Sequence, residues 1–107
     1  MFCAIYEVIL KDEADDEELT RIWRQMTLLM KQRAGAIGSR LHRDDSDRLR
    51  FVMYTQWPDR DQWLKGKKIL QTNDQGLQLM RSLAEICQSK VICESNEIED
   101  LLSIKYQ

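Results

Sequence analysis

Histidine and proline each occur only once in this sequence, as His42 and Pro58, and glycine occurs four times. The glycines form neither a P-loop nor a GxGxxG pattern, and the three cysteines include no CxxC pair. Because a zinc site usually needs several histidine or cysteine ligands, no metal centre is expected. The sequence therefore excludes the common zinc hydrolases, P-loop NTPases and dinucleotide-binding enzymes.

Long apolar runs and an excess of basic charge are also missing. The longest apolar run, residues 1–6, is far shorter than the roughly 20 residues that cross a bilayer, and no basic segment precedes it. The net charge of −2 does not favour a nucleic-acid partner, which usually meets a basic surface. We expect a cytoplasmic protein with no membrane or nucleic-acid partner, whose cysteines remain reduced.

What is present fits one globular domain. The chain has 107 residues, 43% of them apolar and 32% charged, and no linker or repeat divides it. We expect a single domain over residues 1–107, with a core at 2–95 and a tail at 96–107. Four apolar residues in the tail are compatible with either a short helix or an extra edge strand.

The first half of the core predicts a strand and then an amphipathic helix. Residues 2–10 are apolar on both faces, which is typical of a strand covered on both sides. Asp15 and Glu18 have the spacing of a capping box, and Gly35 is suited to end the helix. Between them, apolar residues recur with helical spacing at Leu19, Ile22, Trp23, Met26, Leu29 and Met30.

A hairpin is predicted next, with strands at 36–43 and 48–57 joined by the polar turn 44–47. If Arg43 pairs with Arg48, one face is suited to receive helices and holds Ile37, Ser39, Leu41, Val52 and Tyr54. The opposite face holds Arg40, His42, Phe51, Met53, Thr55 and Trp57. This second set mixes aromatic, aliphatic and polar groups, as in a small-molecule pocket or a protein interface.

The second half predicts two helical segments and a last strand. Asp59 and Gln62 can cap a helix that Gly66 interrupts, and Asn73 restarts a helix. The apolar stripe expected on the restarted helix is Leu77, Met80, Leu83, Ala84 and Cys87. With a strand at 89–95, the order is that of a ferredoxin-like βαββαβ unit, an α+β fold with a four-stranded antiparallel sheet. Helices cover one face of such a sheet, so we expect the other to pair with a second copy in a homodimer.

Two segments carry a resemblance to a known family. GAIGSRLHR at 35–43 and YTQWPDRDQW at 54–63 resemble the antibiotic biosynthesis monooxygenase domain of the dimeric α/β-barrel superfamily. The resemblance implies a βαββαβ protomer, a barrel formed by two sheets, and a cavity between sheet and helices. Characterised relatives include cofactor-independent monooxygenases acting on phenols and quinols, and haem-degrading enzymes. Trp57 matches the tryptophan that closes the third strand in much of the family.

These observations predict a monooxygenase that needs no cofactor and acts on a small aromatic, phenol or quinol substrate. His42 is the candidate base, because its ordinary pKa suits proton transfer near neutrality, and Arg40 on the same strand face is the candidate cation. The expected pocket residues are Tyr6, Phe51, Met53 and Trp57. A non-catalytic homodimer that binds a small molecule or a partner is the alternative, and a haem-degrading enzyme is the third choice.

Overall fold

The structure is a computed structural model that describes residues 1–98. It contains four strands and three helices, and one 3₁₀ turn, Glu13–Asp15, precedes the first helix. In chain order the elements are β1 (Phe2–Leu10), α1 (Asp16–Ala34), β2 (Gly38–Arg43), β3 (Arg50–Trp57), α2 (Arg60–Thr72), α3 (Asp74–Ile86) and β4 (Cys87–Asn96).

The four strands form one antiparallel sheet in the order β2-β3-β1-β4. The strand that is apolar on both faces, β1, is central, and the helices cover one side of the sheet. The predicted ferredoxin-like α+β fold is therefore confirmed, with two helices between β3 and β4. Most of the tail whose conformation was left open, residues 99–107, lies outside the described residues. None of the helices within residues 1–98 is long and apolar enough to cross a membrane.

Helix α1 follows its sequence pattern closely except at its start. All six residues of the predicted stripe are buried, and Gly35 ends the helix with a left-handed φ of 71°. The predicted capping box is wrong, because Asp15 makes no side-chain capping bond. Asp12 instead accepts a hydrogen bond from the Ala14 amide and caps the 3₁₀ turn. The 3₁₀ turn leads directly into α1, whose N-cap position is still Asp15.

Helix α2 begins as predicted, with the Asp59 side chain accepting from the Gln62 amide. The interruption predicted at Gly66 is wrong, since α2 continues to Thr72. One glycine in a helix interior costs only about 1 kcal/mol. Here it also makes room for an indole ring, because a Cβ on Gly66 would lie 2.5 Å from Trp57 Cη2.

Helix α3 begins at the predicted cap, where Asn73 accepts from the Gly76 amide. Its predicted stripe is only partly right: Leu83 is buried, but Met80 is 38% exposed and Leu79 is buried instead. A Cβ on Gly76 would lie 2.9 Å from Leu70 Cα, so this glycine packs against the end of α2. That close approach fixes the rotation of α3 and turns Gly76, Leu79 and Leu83 inward.

The predicted hairpin register is also wrong. Arg43 pairs with Phe51 rather than with Arg48, a shift of three residues along β3. The connecting loop runs over residues 44–49, and it closes when the Asp44 amide donates to the Arg50 carbonyl at 2.8 Å. The Asp47 carboxylate also accepts from the Leu49 amide, which stabilises the longer turn. Because side chains alternate along a strand, an odd shift reverses which faces of β2 and β3 belong together.

In the observed register, Phe51, Met53, Thr55 and Trp57 face the helices and are buried. They pack in the core with Phe2, Ala4 and Val8 of β1. His42 and Arg40 pair with Val52 and Tyr54 and belong to the opposite face. The predicted faces of β3 are therefore wrong: Val52 and Tyr54 were expected to face the helices, and Phe51, Met53 and Trp57 were expected opposite them. The predicted common face of Arg40, His42, Phe51, Met53 and Trp57 does not exist.

The sheet side away from the helices, called the open face below, has an apolar centre and a charged border. Arg50 bridges Glu7 and Asp44, at 3.0 Å in both cases, and Lys90 lies 3.6 Å from Glu7. Residues of the open face include Cys3, Ile5, Glu7, Ile9, Arg40, His42, Arg50, Val52, Tyr54 and Cys93. Ile5, Ile9, Val52 and Tyr54 keep part of their surface exposed in the protomer.

Candidate ligand-binding cavity

A cavity of about 150 Å³ lies between the helices and the helix-facing side of the sheet. All three helices and all four strands contribute to its wall. The wall is mainly apolar and aromatic, and its buried apolar members are Trp23, Met26, Met30, Trp57, Trp63 and Leu83. A concave apolar site with a few polar groups is the usual form of a small-molecule pocket.

Aromatic side chains hold the wall together from both layers. The Tyr6 ring meets the Trp23 ring nearly edge to face, with centroids 6.0 Å apart. On the other side, Trp63 packs on Phe2 with centroids 5.3 Å apart. Such contacts fix the orientation of flat rings, so the cavity presents preformed indole surfaces to a ligand.

A buried hydrogen-bond chain fixes Trp57. Its Nε1–H donates to Thr55 Oγ1 at 3.1 Å, and the Thr55 hydroxyl donates to the Ala4 carbonyl at 2.9 Å. The protons of both side chains are therefore used within the protein. This arrangement leaves the indole of Trp57 as an apolar surface on the cavity wall.

A second hydroxyl pair lies between α1 and β2. The Thr27 hydroxyl donates to the Trp23 carbonyl at 2.9 Å, and its oxygen is 2.8 Å from Ser39 Oγ. Because Thr27 has only one hydroxyl proton, Ser39 must donate in this pair. Both protons are again used internally.

Tyr6 supplies a different kind of polar group. Its hydroxyl oxygen accepts from Trp63 Nε1 at 2.8 Å, a bond that joins β1 to α2. Burial is the main cause of the raised pKa of Tyr6, and a smaller effect comes from Glu94, which opposes the hydrogen bond from Trp63. The hydroxyl is therefore protonated at neutral pH, and its own proton has no acceptor among residues 1–98.

Lys67 is the only charged side chain on the cavity wall formed by residues 1–98. Its Nζ lies 4.6 Å from the centre of the Trp63 ring, where the indole face attracts a cation. Lys67 is exposed and has no carboxylate partner in that part of the chain. It therefore places an unneutralised positive charge at the mouth of the cavity, one helical turn after Trp63.

The predicted site residues fall into three groups. Tyr6 and Trp57 line the cavity; Phe51 and Met53 are buried in the same core but do not reach the cavity wall. His42 and Arg40 are exposed on the open face, so the sheet separates them from the cavity. Within residues 1–98, no group of three or more His, Cys, Asp and Glu side chains could hold a metal ion.

Sequence reasoning missed the roles of Trp63 and Lys67. The two are four residues apart and thus share one side of a helix, which is the signal that could have found them. The predicted interruption at Gly66 lies between them and hides this spacing, whereas the helix in fact runs through Gly66.

The structure thus defines a small α+β domain with a ferredoxin-like sheet and an aromatic cavity under its helices. The sequence model for the antibiotic biosynthesis monooxygenase family matches residues 1–68, a span that includes β1, α1, the hairpin and most of α2. The chain belongs to this family.

Solved structures show the same fold at low sequence identity. SnoaB, a cofactor-independent oxygenase from Streptomyces nogalater, is 13% identical with a TM-score of 0.74; the match covers 94% of this chain and 95% of SnoaB. A dimeric ferredoxin-like protein from an uncultured marine organism is also 13% identical, with a TM-score of 0.74 and coverage of 94% and 98%. PA3566 from Pseudomonas aeruginosa is 21% identical, with a TM-score of 0.64 and coverage of 92% and 95%. No curated protein matches the sequence.

Proposed function

We propose that this protein is a monooxygenase-type enzyme that oxidises a small phenol or quinol without a cofactor, with the substrate ring held in the cavity. The observation that carries this proposal is the cavity wall, in which three indoles and a partly buried tyrosine hydroxyl face a mainly apolar space. Membership of the antibiotic biosynthesis monooxygenase family and the likeness to a cofactor-independent oxygenase support it.

The proposed reaction balances without a further reductant. A phenol with a free ring position becomes a quinone in a four-electron oxidation, in which it loses two hydrogens and gains one oxygen. One atom of O₂ forms the new carbonyl bond to carbon, and the other leaves as water with the two hydrogens. Ionising the phenol first makes its ring electron-rich enough to transfer an electron to O₂.

The cavity residues can assist this chemistry in two ways. The indole surfaces of Trp23, Trp57 and Trp63 hold a flat ring and keep water from the reacting carbon. The Tyr6 hydroxyl can donate to the substrate oxygen and stabilise its negative charge, as a preorganised donor does in an apolar site.

The earlier assignment of His42 as base and Arg40 as cation remains a competing proposal for the catalytic groups. Both residues are on the open face, so they can act only on a substrate bound there, for example between two sheets. Substitution distinguishes the two arrangements, because no single ligand in the cavity of one protomer reaches both sets.

We further propose that the open face pairs with the open face of a second copy. Its apolar centre, with Ile5, Ile9 and Val52, leaves apolar surface in water in a single protomer. A similar solved structure is described as a dimeric ferredoxin-like protein. A two-fold arrangement would bury this surface in both chains at once.

Oxygen consumption with a panel of phenols and hydroquinones tests the proposed activity, with the rate without enzyme subtracted. Turnover under ¹⁸O₂ should place one labelled oxygen in the quinone and one in water. Tyr6→Phe should lower turnover, whereas Lys65→Met, an exposed change on the same helix as Trp63, should not. Loss of turnover in His42→Ala with full activity in Tyr6→Phe would instead favour the open-face site.

The non-catalytic alternative has its own outcome in the same experiment. Binding of these compounds without oxygen consumption above the uncatalysed rate would overturn the enzyme proposal and leave a binding protein on this fold.

A further inference from the structure

Hydrogen-bond protons on the cavity wall are almost all used within the protein. The Trp57 proton goes to Thr55, the Thr55 proton to the Ala4 carbonyl, and the Thr27 and Ser39 protons are used between α1 and β2. Two other polar lining residues, Gln71 and Ser89, are exposed and therefore hydrated. The Tyr6 hydroxyl is a partly buried donor whose proton has no acceptor among residues 1–98.

The hydrogen bond from Trp63 makes the Tyr6 hydroxyl available as a donor. Because the indole Nε1–H donates to Tyr6 Oη, one lone pair of the oxygen is occupied and the proton is free to point elsewhere. The phenol is protonated at neutral pH because burial raises its pKa. A ligand at this end of the cavity thus meets a hydrogen-bond donor.

The charged side chain on the cavity wall at the same end is a cation. Lys67 Nζ lies over the face of the Trp63 ring, and the Nε1–H of the same ring donates to Tyr6, so the cation and the donor both contact one indole. The carboxylate that acts on Tyr6, Glu94, is paired with Arg60 at 3.1 Å. An incoming group therefore meets a cation and a free donor, while the nearby carboxylate is paired with Arg60.

We propose that Tyr6 and Lys67 form an oxyanion subsite, so that the ligand of this cavity is a flat aromatic compound bound as its monoanion. This inference rests on the proposed function and specifies the substrate class: an aromatic whose ionised oxygen lies at the Tyr6–Trp63–Lys67 end while its ring contacts the indoles. A neutral aromatic of the same shape fills the ring site but leaves Lys67 unpaired and gains less.

The test compares 2-naphthoate with 2-naphthamide by isothermal titration calorimetry at neutral pH, in wild type and variants. Wild type should prefer the carboxylate by about tenfold, as one charge-assisted contact and one hydrogen bond predict. Lys67→Met should weaken naphthoate binding by about fivefold and leave naphthamide unchanged. Lys65→Met is the matched control, since it removes the same charge from α2 outside the cavity wall.

Tyr6→Phe provides a second, independent variant. It should weaken naphthoate more than naphthamide, because an oxyanion gains more from the donor than an amide does. Equal effects of Lys67→Met and Lys65→Met, no preference for the carboxylate in wild type, or binding of neither compound at millimolar concentration would overturn the inference. These binding measurements need no oxygen, so they are independent of turnover. If the protein prefers the carboxylate but shows no turnover, the subsite stands and only the oxygenase proposal is refuted. If it shows turnover without this preference, the oxygenase proposal stands and the subsite is refuted.

Discussion

Gly66 gives the sharpest test of how the cavity is built, because two effects of known size oppose each other there. Gly66→Ala adds a methyl group inside α2, and alanine is favoured over glycine in a helix interior by about 1 kcal/mol. On helix propensity alone, the variant would be more stable. The added Cβ would, however, lie 2.5 Å from Trp57 Cη2 and 3.0 Å from Met30 Sδ.

The steric effect should be the larger one. To return to an ordinary contact of 3.4 Å, the indole must retreat by about 0.9 Å, the difference between 3.4 and 2.5 Å. Trp57 is only 4% exposed and its Nε1 is bonded to Thr55, so it cannot turn out into water. Overpacking of this kind costs about 1–3 kcal/mol, and a weakened hydrogen bond about 0.5–1.5 kcal/mol. After the helix gain is subtracted, a net loss of about 2 kcal/mol remains, or about 8 °C in Tm for a chain of this length.

Urea unfolding at one fixed protein concentration measures this loss, because the stability of an oligomer depends on concentration. Gly38→Ala is the control. A Cβ there meets no atom within 4 Å and the φ of Gly38 is not positive, so the free energy of unfolding should be unchanged or slightly higher. If Gly66→Ala is as stable as wild type or more so, the close packing of Trp57 on α2 is refuted.

Three further predictions concern other parts of the fold. Ile5→Lys on the open face should convert a dimer of twice 12.7 kDa to a monomer in light scattering, whereas Leu28→Lys on the exposed side of α1 should not; a dimer that survives Ile5→Lys argues against the open face as the interface. The hydrogen bond from Arg50 lowers the pKa of Glu7, so its stabilising effect is present above the ordinary glutamate range and is lost as pH falls through the lowered value. The stability difference between wild type and Arg50→Gln should therefore shrink as urea unfolding is repeated from about pH 6 to about pH 3, and a constant difference would contradict the pairing. Asn73→Ala removes the cap of α3 and should cost about 1 kcal/mol in the same assay, with Asn73→Ser close to wild type; equal loss in both would show that the cap bond is not the cause.

The fold could be predicted from the sequence because the patterns that indicate its helices and strands extend over several neighbouring residues. The stripe of α1 and the two-sided apolar pattern of β1 each extend over several residues, and both are confirmed. The hairpin register could not be predicted, because it depends on whether Asp44 and Asp47 close a turn of four or six residues. Both turns suit the same polar sequence, and only the amide bond from Asp44 to the Arg50 carbonyl decides between them.

The residues of the candidate cavity could be predicted only in part from the sequence. Tyr6 and Trp57 are predicted pocket residues and both line the cavity, although the predicted register puts Trp57 on the face away from the helices. The wrong register joins His42 and Arg40 to the same face as Phe51, Met53 and Trp57, from which the observed register separates them. Trp63 and Lys67 depend on the continuity of α2 across a glycine, and that continuity comes from tertiary packing against Trp57 rather than from local propensity.

The clustering of indoles has a practical consequence. The chain has three tryptophans, and all of them, Trp23, Trp57 and Trp63, belong to the wall of one cavity. Tryptophan fluorescence excited selectively over tyrosine is therefore a signal from this site alone, with no label and no added chromophore. A quinone formed beside the indoles would quench it as it appears, so one optical trace could follow both filling of the cavity and the appearance of product.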